Sequence, residues 1–295
     1  MMKETEMVKK VLVDTDIGND IDDSLAIAYL LREPECRLMG ITTVSGQPEL
    51  RAMLAKKMCR DLGKPNVPIF PGIADPLLGN NRQPHTTQTD VLGAGETDVF
   101  PKNSAIDFMR KTIRENPGEI SLLAIGPLTN LAVLFSVDRE IPGLLKELVI
   151  MGGDFLRQNT TAEWNIVCDP VAAAMVYQTD VAIHRSIGLN VTLQVKMDGE
   201  EAKQHFSGNF PPLIREYIPI WLQKRKYIIF HDPLAAMTLF DDRICGFRKG
   251  RPEVILPPGT PNAGKIVFHE GMQNIEVADR VNADRALRTY FQAFT

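Results

Sequence analysis

Cysteine is scarce, with four in 295 residues. Cys36, Cys59, Cys168 and Cys245 lie far apart and include no CxxC pair. That spacing excludes a disulfide framework and a paired-cysteine zinc site, and it fits idle or buried thiols in a reducing, cytoplasmic compartment. Long apolar runs are missing too. The greasiest segment, LLAIGPLTNLAVLF, is interrupted by Pro127, Thr129 and Asn130, and the charged opening MMKETEMVKKVLV lacks the apolar stretch of a signal peptide, so no membrane association is expected. There is no excess of basic charge: 33 Lys and Arg stand against 37 acids, for a net charge of −4. Nothing global therefore draws the chain to nucleic acid or an anionic lipid surface. Internal repeats, low-complexity tracts and a Pro/Gly/Ser linker are also absent, so residues 1–295 are expected to form one domain.

What is present is an ordinary core-forming composition, 44% hydrophobic and 24% charged. Short β-branched runs alternate with amphipathic stretches: KKVLVDT then DDSLAIAYLLR, RLMGITTV then PELRAMLAKKMCRDLG, ISLLAIG then PLTNLAVLF, ELVIMGG then DPVAAAMVYQ. This is the rhythm of βαβ units and predicts an α/β fold with a Rossmann-like, mostly parallel sheet flanked by helices. Beyond residue 190 the rhythm loosens into helical PPLIREYIPIWLQKRK and DPLAAMTLF, the strand-like GKIVFH and NIEVADRV, and a last helix. Residues 72–102 are rich in Gly, Pro, Asn and Thr without periodicity, and predict a long functional loop.

The densest chemistry lies in VDTDIGNDIDD, residues 13–23, which holds five aspartates. Strand positions i and i+2 share a face, so Asp14 and Asp16 are expected to project to one side at the strand's carboxyl end, where open α/β sheets form their ligand crevices. Asp20, Asp22 and Asp23 follow in the turn and first helical positions. Carboxylates about 4 Å apart repel by roughly 4 kcal/mol per pair at an effective dielectric near 20. Free N–H groups at a helix start offset part of that. No Lys or Arg lies between Lys10 and Arg32, so a bound hard cation is the nearest counter-charge. An EF-hand loop counted from Asp14 fails, with Asn19 at its sixth position and Leu25 at its twelfth. A magnesium-dependent DxD phosphohydrolase would use Asp14 as nucleophile and Asp16 as acid, but Gly18 stands where that motif has Thr or Val.

Three further stretches follow in order: AIGPLTNLA at 124–132, MGGDFLRQNTTAEWNIVCDP at 151–170 and HDPLA at 231–235. With DTDIGNDIDD and the VADRVNADRA tail, they resemble the signature set of the inosine-uridine preferring nucleoside hydrolases over essentially the whole chain. The resemblance implies a calcium-dependent enzyme that hydrolyses the N-glycosidic bond of ribonucleosides in nucleoside salvage, assembled as a homodimer or homotetramer. It implies metal ligation by Asp16, Asp23, Asp232 and the backbone carbonyl of Ile125. Asp22 matches the carboxylate that grips the ribose hydroxyls, although the longer acidic turn here leaves Asp20 eligible as well. Met151, Asn159, Glu163 and Asn165 match sugar-contacting positions, Gln47 stands where the family has an asparagine and is a further substrate-binding candidate, and Trp164 falls where an aromatic lines the pocket.

Cleavage through an oxocarbenium-like ribosyl cation calls for negative charge, a positioned water and hydrogen bonds to the sugar. Asp16 is the implied general base, and His231 matches a histidine assigned in some members to protonation of the leaving base, a task its ordinary pKa suits. A protein that binds calcium or a ribosyl ligand without turnover would carry the same residues.

Overall fold

A computed structural model describes residues 8–92, 99–157, 161–208, 210–257, 260–271 and 275–295. Its strands are β1 (Lys9–Thr15), β2 (Cys36–Thr43), β3 (Ile69–Pro71), β4 (Ile120–Ala124), β5 (Glu147–Met151), β6 (His184–Ile187), β7 (Lys196–Asp198), β8 (Tyr227–Ile229), β9 (Cys245–Val254), β10 (Ile266–Glu270) and β11 (Ile275–Val281). Nine of them form one sheet in the order β10-β9-β11-β6-β5-β4-β1-β2-β3, and β7 and β8 form a separate antiparallel pair. From β3 to β11 every pairing is parallel; β9 and β10 extend that edge antiparallel.

The central strands are apolar because both faces are covered. Val11, Val13, Leu123 and Val149 face one core with Leu25, Phe230 and Tyr290, whereas Leu12, Leu122, Leu148 and Ile150 face the other with Met109 and Ile113. Alternate residues thus serve alternate layers, and each fully buried Leu or Val contributes roughly 1.5–3 kcal/mol relative to exposure. The predicted βαβ segments appear as expected, and Gly63, just past the helix Pro48–Asp61, takes the left-handed conformation with φ 73°. Five strands are not announced by periodicity. β3, β7 and β8 are three residues long. β6 is only four residues long, and β9 carries Arg248, Lys249, Arg251 and Glu253, which its antiparallel position near the sheet's end leaves exposed or half-buried.

Strand order reverses at β1, whose neighbours β4 and β2 both run parallel to it. Such a reversal opens a crevice at the carboxyl ends of the strands. The chain leaves β1 at Thr15 and β4 at Ala124, and the Ile125 amide still donates to the Asp14 carbonyl at 2.8 Å. Gly126 follows, and a Cβ there would stand 2.9 Å from the Asp16 amide nitrogen, so only glycine permits the approach.

The turn after β1 is held from below by Arg51 of the helix Pro48–Asp61. Fully buried, its guanidinium donates to the carbonyls of Ser45 at 2.8 Å, Ile17 at 2.9 Å and Asp16. Replacing it by Met leaves three buried acceptors and a nearby carboxylate uncompensated. Arg51→Met is therefore expected to lower unfolding free energy by about 3 kcal/mol, measured by denaturant titration; a change below about 1 kcal/mol would refute this role.

His184 on β6 is fully buried and stacks on Tyr177 with ring centroids 5.8 Å apart. Burial pushes its imidazole down to about 4. Because the folded value lies below the unfolded one near 6.5, the unfolded chain binds the extra proton, and this contribution, complete above pH 6.5, is lost as pH falls toward 4. His184→Phe should flatten the decline of Tm over that window relative to wild type; parallel Tm profiles would contradict it.

Candidate active site

At the crevice lies a cavity of about 310 Å³ whose lining includes Asp16, Asp20, Asp22, Asp23, Ile125, Met151, Glu163, Trp164, Asn165, His231 and Asp232. Eleven of the positions singled out in the sequence for catalysis, substrate or metal thus meet at one place. The turn after β1 brings Asp16. The helix Asp22–Arg32 offers Asp22 and Asp23 in its first turn, and the helix His231–Thr238, packed against it, offers Asp232 in its own. Two helix N-termini therefore point their free N–H groups and positive dipole ends at the acids.

Asp22, Asp23 and Asp232 are almost wholly buried, and one carboxylate oxygen from each lies within 4.8 Å of the others. Burial first, and then their mutual repulsion with Asp16 and Asp20, lift all three well above the ordinary carboxylate range. Asp20 is raised to about 6, chiefly by burial. Asp16 is raised by burial, with Arg51 and a hydrogen bond from Gln83 pulling the other way. Thr15 donates its hydroxyl to Asp23. A trio of buried carboxylates with a backbone carbonyl alongside is an all-oxygen donor set, fitted to a hard cation rather than to zinc or copper.

Opposite the acids, Glu163 caps the short helix Trp164–Cys168. Its carboxylate accepts from the amides of Asn165 at 2.9 Å, Ile166 at 3.1 Å and Gly153 at 3.1 Å, while burial raises it to about 7. Asn165 donates through Nδ2 to the carbonyls of Ile125 at 3.2 Å and Met151 at 3.1 Å, which fixes the backbone at the ends of β4 and β5. Trp164 is half-exposed at the mouth, its indole Nε1 donating to Gln83 Oε1 at 3.1 Å. His231 Nδ1 meets the Thr192 hydroxyl at 2.7 Å, and burial lowers the imidazole to about 4. The ordinary value that suits an imidazole to protonating a leaving base is thus shifted down, because burial disfavours the charged form.

Two positions singled out in the sequence are not brought to the cavity. Gln47 sits outside the lining, where its Oε1 accepts from the Thr86 amide at 2.9 Å. Asp14 is fully buried beneath the site; its Oδ1 accepts from Thr42 at 2.5 Å and Asn130 at 2.8 Å, and burial raises it to about 7. It shares Asp16's end of the strand but not its access, which removes the nucleophile a DxD phosphohydrolase needs. Asn159 lies outside the described residues. Arg51 and Gln83 carry no signal in the sequence: both approach Asp16 from distant segments, and neither has a local motif.

The described residues include no helix long and apolar enough to cross a membrane. The family model of the inosine-uridine preferring nucleoside hydrolases matches residues 11–288. The chain is 31% identical over 261 residues to uridine nucleosidase 1 of Arabidopsis thaliana, covering 82% of this chain and 77% of that protein. Among solved structures, a plant nucleoside hydrolase superposes with a TM-score of 0.83 at 24% identity, covering 98% of this chain and 99% of the other. A purine-preferring ribonucleoside hydrolase from Gardnerella vaginalis superposes with the same TM-score, 0.83, at 23% identity, with 97% and 98% covered. The two structures establish the fold; the family match establishes kinship and reaction class. The chain therefore belongs to the inosine-uridine preferring nucleoside hydrolase family and hydrolyses the N-glycosidic bond of ribonucleosides.

Proposed function

We propose that the cavity binds a ribonucleoside with its sugar over a calcium ion held by Asp16, Asp23, Asp232 and the Ile125 carbonyl, and releases free base and ribose. The observation that carries this reading is the trio Asp22, Asp23 and Asp232, three buried carboxylates converging within 4.8 Å with no ion pair to neutralise them among the described residues. Calcium suits the set better than magnesium because it accepts six to eight oxygens in irregular geometry, whereas magnesium holds on to its waters. When bound, the cation would offset the acids' repulsion, grip the ribose diol and polarise the attacking water.

The chain's own residues supply the remainder. Asp16 takes the proton of the water whose oxygen attacks the anomeric carbon as the bond to the base nitrogen breaks. Asp22 faces the ribose hydroxyls, with Asp20 beside it, while the buried acids stabilise the positive charge that develops on the sugar ring. Met151, Glu163 and Asn165 form the opposite wall, and Trp164 offers an aromatic face at the mouth. His231, whose charged form burial disfavours, meets the departing base as a hydrogen-bonding imidazole.

We further infer, from family membership and the sparse unpaired cysteines, a cytoplasmic homodimer or homotetramer built from one such domain.

A reducing-sugar assay against uridine, cytidine, inosine, adenosine and guanosine should detect ribose release that stops on chelation and returns with calcium. Binding of these compounds with no release would leave a ribosyl-ligand binding protein instead. Asp16→Asn should cut kcat by roughly 10²–10⁴-fold with the Tm nearly unchanged, since the carboxylate is replaced by an isostere. Near-normal turnover in that variant would remove Asp16 from the role of base.

A further inference from the structure

We propose that Gln83 is a positioning residue for the Asp16 carboxylate, delivered to it by a strap, residues 83–88, that is hydrogen-bonded to the acidic turn. The proposal rests on the reading of Asp16 given above and names a residue that reading does not use.

The geometry is a relay of two hydrogen bonds. Trp164 Nε1 donates to Gln83 Oε1 at 3.1 Å, and Gln83 Nε2 donates to Asp16 Oδ2 at 2.6 Å. An indole N–H only donates and an ionised carboxylate only accepts, so the amide between them has a single workable orientation: its oxygen toward Trp164 and its NH₂ toward Asp16. Gln83 is 6% exposed and Asp16 7% exposed, so water competes little for either bond. A charge-assisted bond of this length holds the carboxylate plane and leaves its other oxygen for the cavity.

The strap that carries Gln83 is fastened along its length. The Gly18 carbonyl accepts from the Thr87 amide at 3.1 Å and the Gln88 amide at 2.9 Å, and Asn19 Oδ1 accepts from the Thr87 amide at 3.0 Å. Gln88 Nε2 donates to the Asp20 carbonyl at 2.9 Å, and the Thr86 amide donates to Gln47 Oε1 at 2.9 Å. Gly18 has φ 118°, and a Cβ there would stand 2.5 Å from Thr86 Cγ2, so the turn is shaped to seat the strap. On the outer side the Tyr217 hydroxyl donates to the Gln88 carbonyl. These anchors set the position from which Gln83 enters the cavity lining. They also explain Gln47, which serves as an anchor while Gln83 makes the polar contact with Asp16.

Gln83→Met keeps the side chain's length and removes both amide functions, and Trp164→Phe removes only the indole donor. With calcium and the best nucleoside, Gln83→Met is expected to lower kcat by roughly 10–100-fold, as loss of a residue supporting a metal ligand does. KM should change by less than about threefold and Tm by no more than about 2 °C, which a merely structural role would not produce. Trp164→Phe should lower kcat less, and the double variant should be no worse than Gln83→Met alone, because both changes break one relay. Calcium affinity by titration calorimetry gives a readout independent of turnover, and Gln83→Met should weaken it about tenfold. A kcat and a calcium affinity both within about twofold of wild type in Gln83→Met would overturn the proposal, as would multiplicative effects in the double variant. If the wild type binds calcium but cleaves no nucleoside, the functional reading fails while the affinity comparison still judges Gln83; a chain that does neither refutes both.

Discussion

Electrostatic repulsion at the end of β1 is the constraint around which the rest of the structure is arranged. Asp22, Asp23 and Asp232 are buried together, with Asp16 and Asp20 on the same cavity. Buried like charges are tolerable only if something opposes them. The fold opposes them with two helix N-termini aimed at the cluster, the Thr15 hydroxyl on Asp23, the Gln83 amide on Asp16, and the Arg51 guanidinium beneath the turn. None of these reaches the cavity as a free positive charge, and the remaining imbalance is what suits the site to a hard cation and to a sugar that becomes positive as its bond to the base breaks.

The switch in strand order converts this electrostatic demand into a place. Because β2 and β4 run parallel to β1 on either side, their carboxyl ends bring residues more than 100 positions apart to the same edge, and Gly126 lets the Ile125 backbone lie directly against Asp16. Asn165 then joins the ends of β4 and β5 through two carbonyls, and Glu163 locks the start of the short helix that carries Trp164. The site is thus mounted on strand ends and helix caps, elements whose positions are set by the core. Precision of this kind is what a reaction dependent on charge placement requires.

Much of this was legible in the sequence where the signal is local. Apolar runs bounded by turn residues mark β1, β4 and β5; paired aspartates at a helix start and HDP at another mark the acidic ends; four ordered motifs mark the family. β6 and β9 were not legible, since one is too short to show a period and the other owes its strand state to neighbours on both sides that satisfy its backbone. Asp14 illustrates the limit within a motif: it stands two residues from Asp16, yet Thr42 and Asn130 take it into the interior.

The sequence by itself therefore determined the βαβ order, the acidic nature of the site and the kinship of the chain, because periodicity, strand ends and helix starts are written in consecutive residues. Tertiary structure alone decided which acids share the cavity and which one lies beneath it, that Arg51 is the buried counter-charge, that burial disfavours the charged form of His231, and that Gln83 touches Asp16. Each of these depends on burial or on a hydrogen bond between segments far apart in the chain, and such contacts exist only once the strands have been ordered and the core has closed around them.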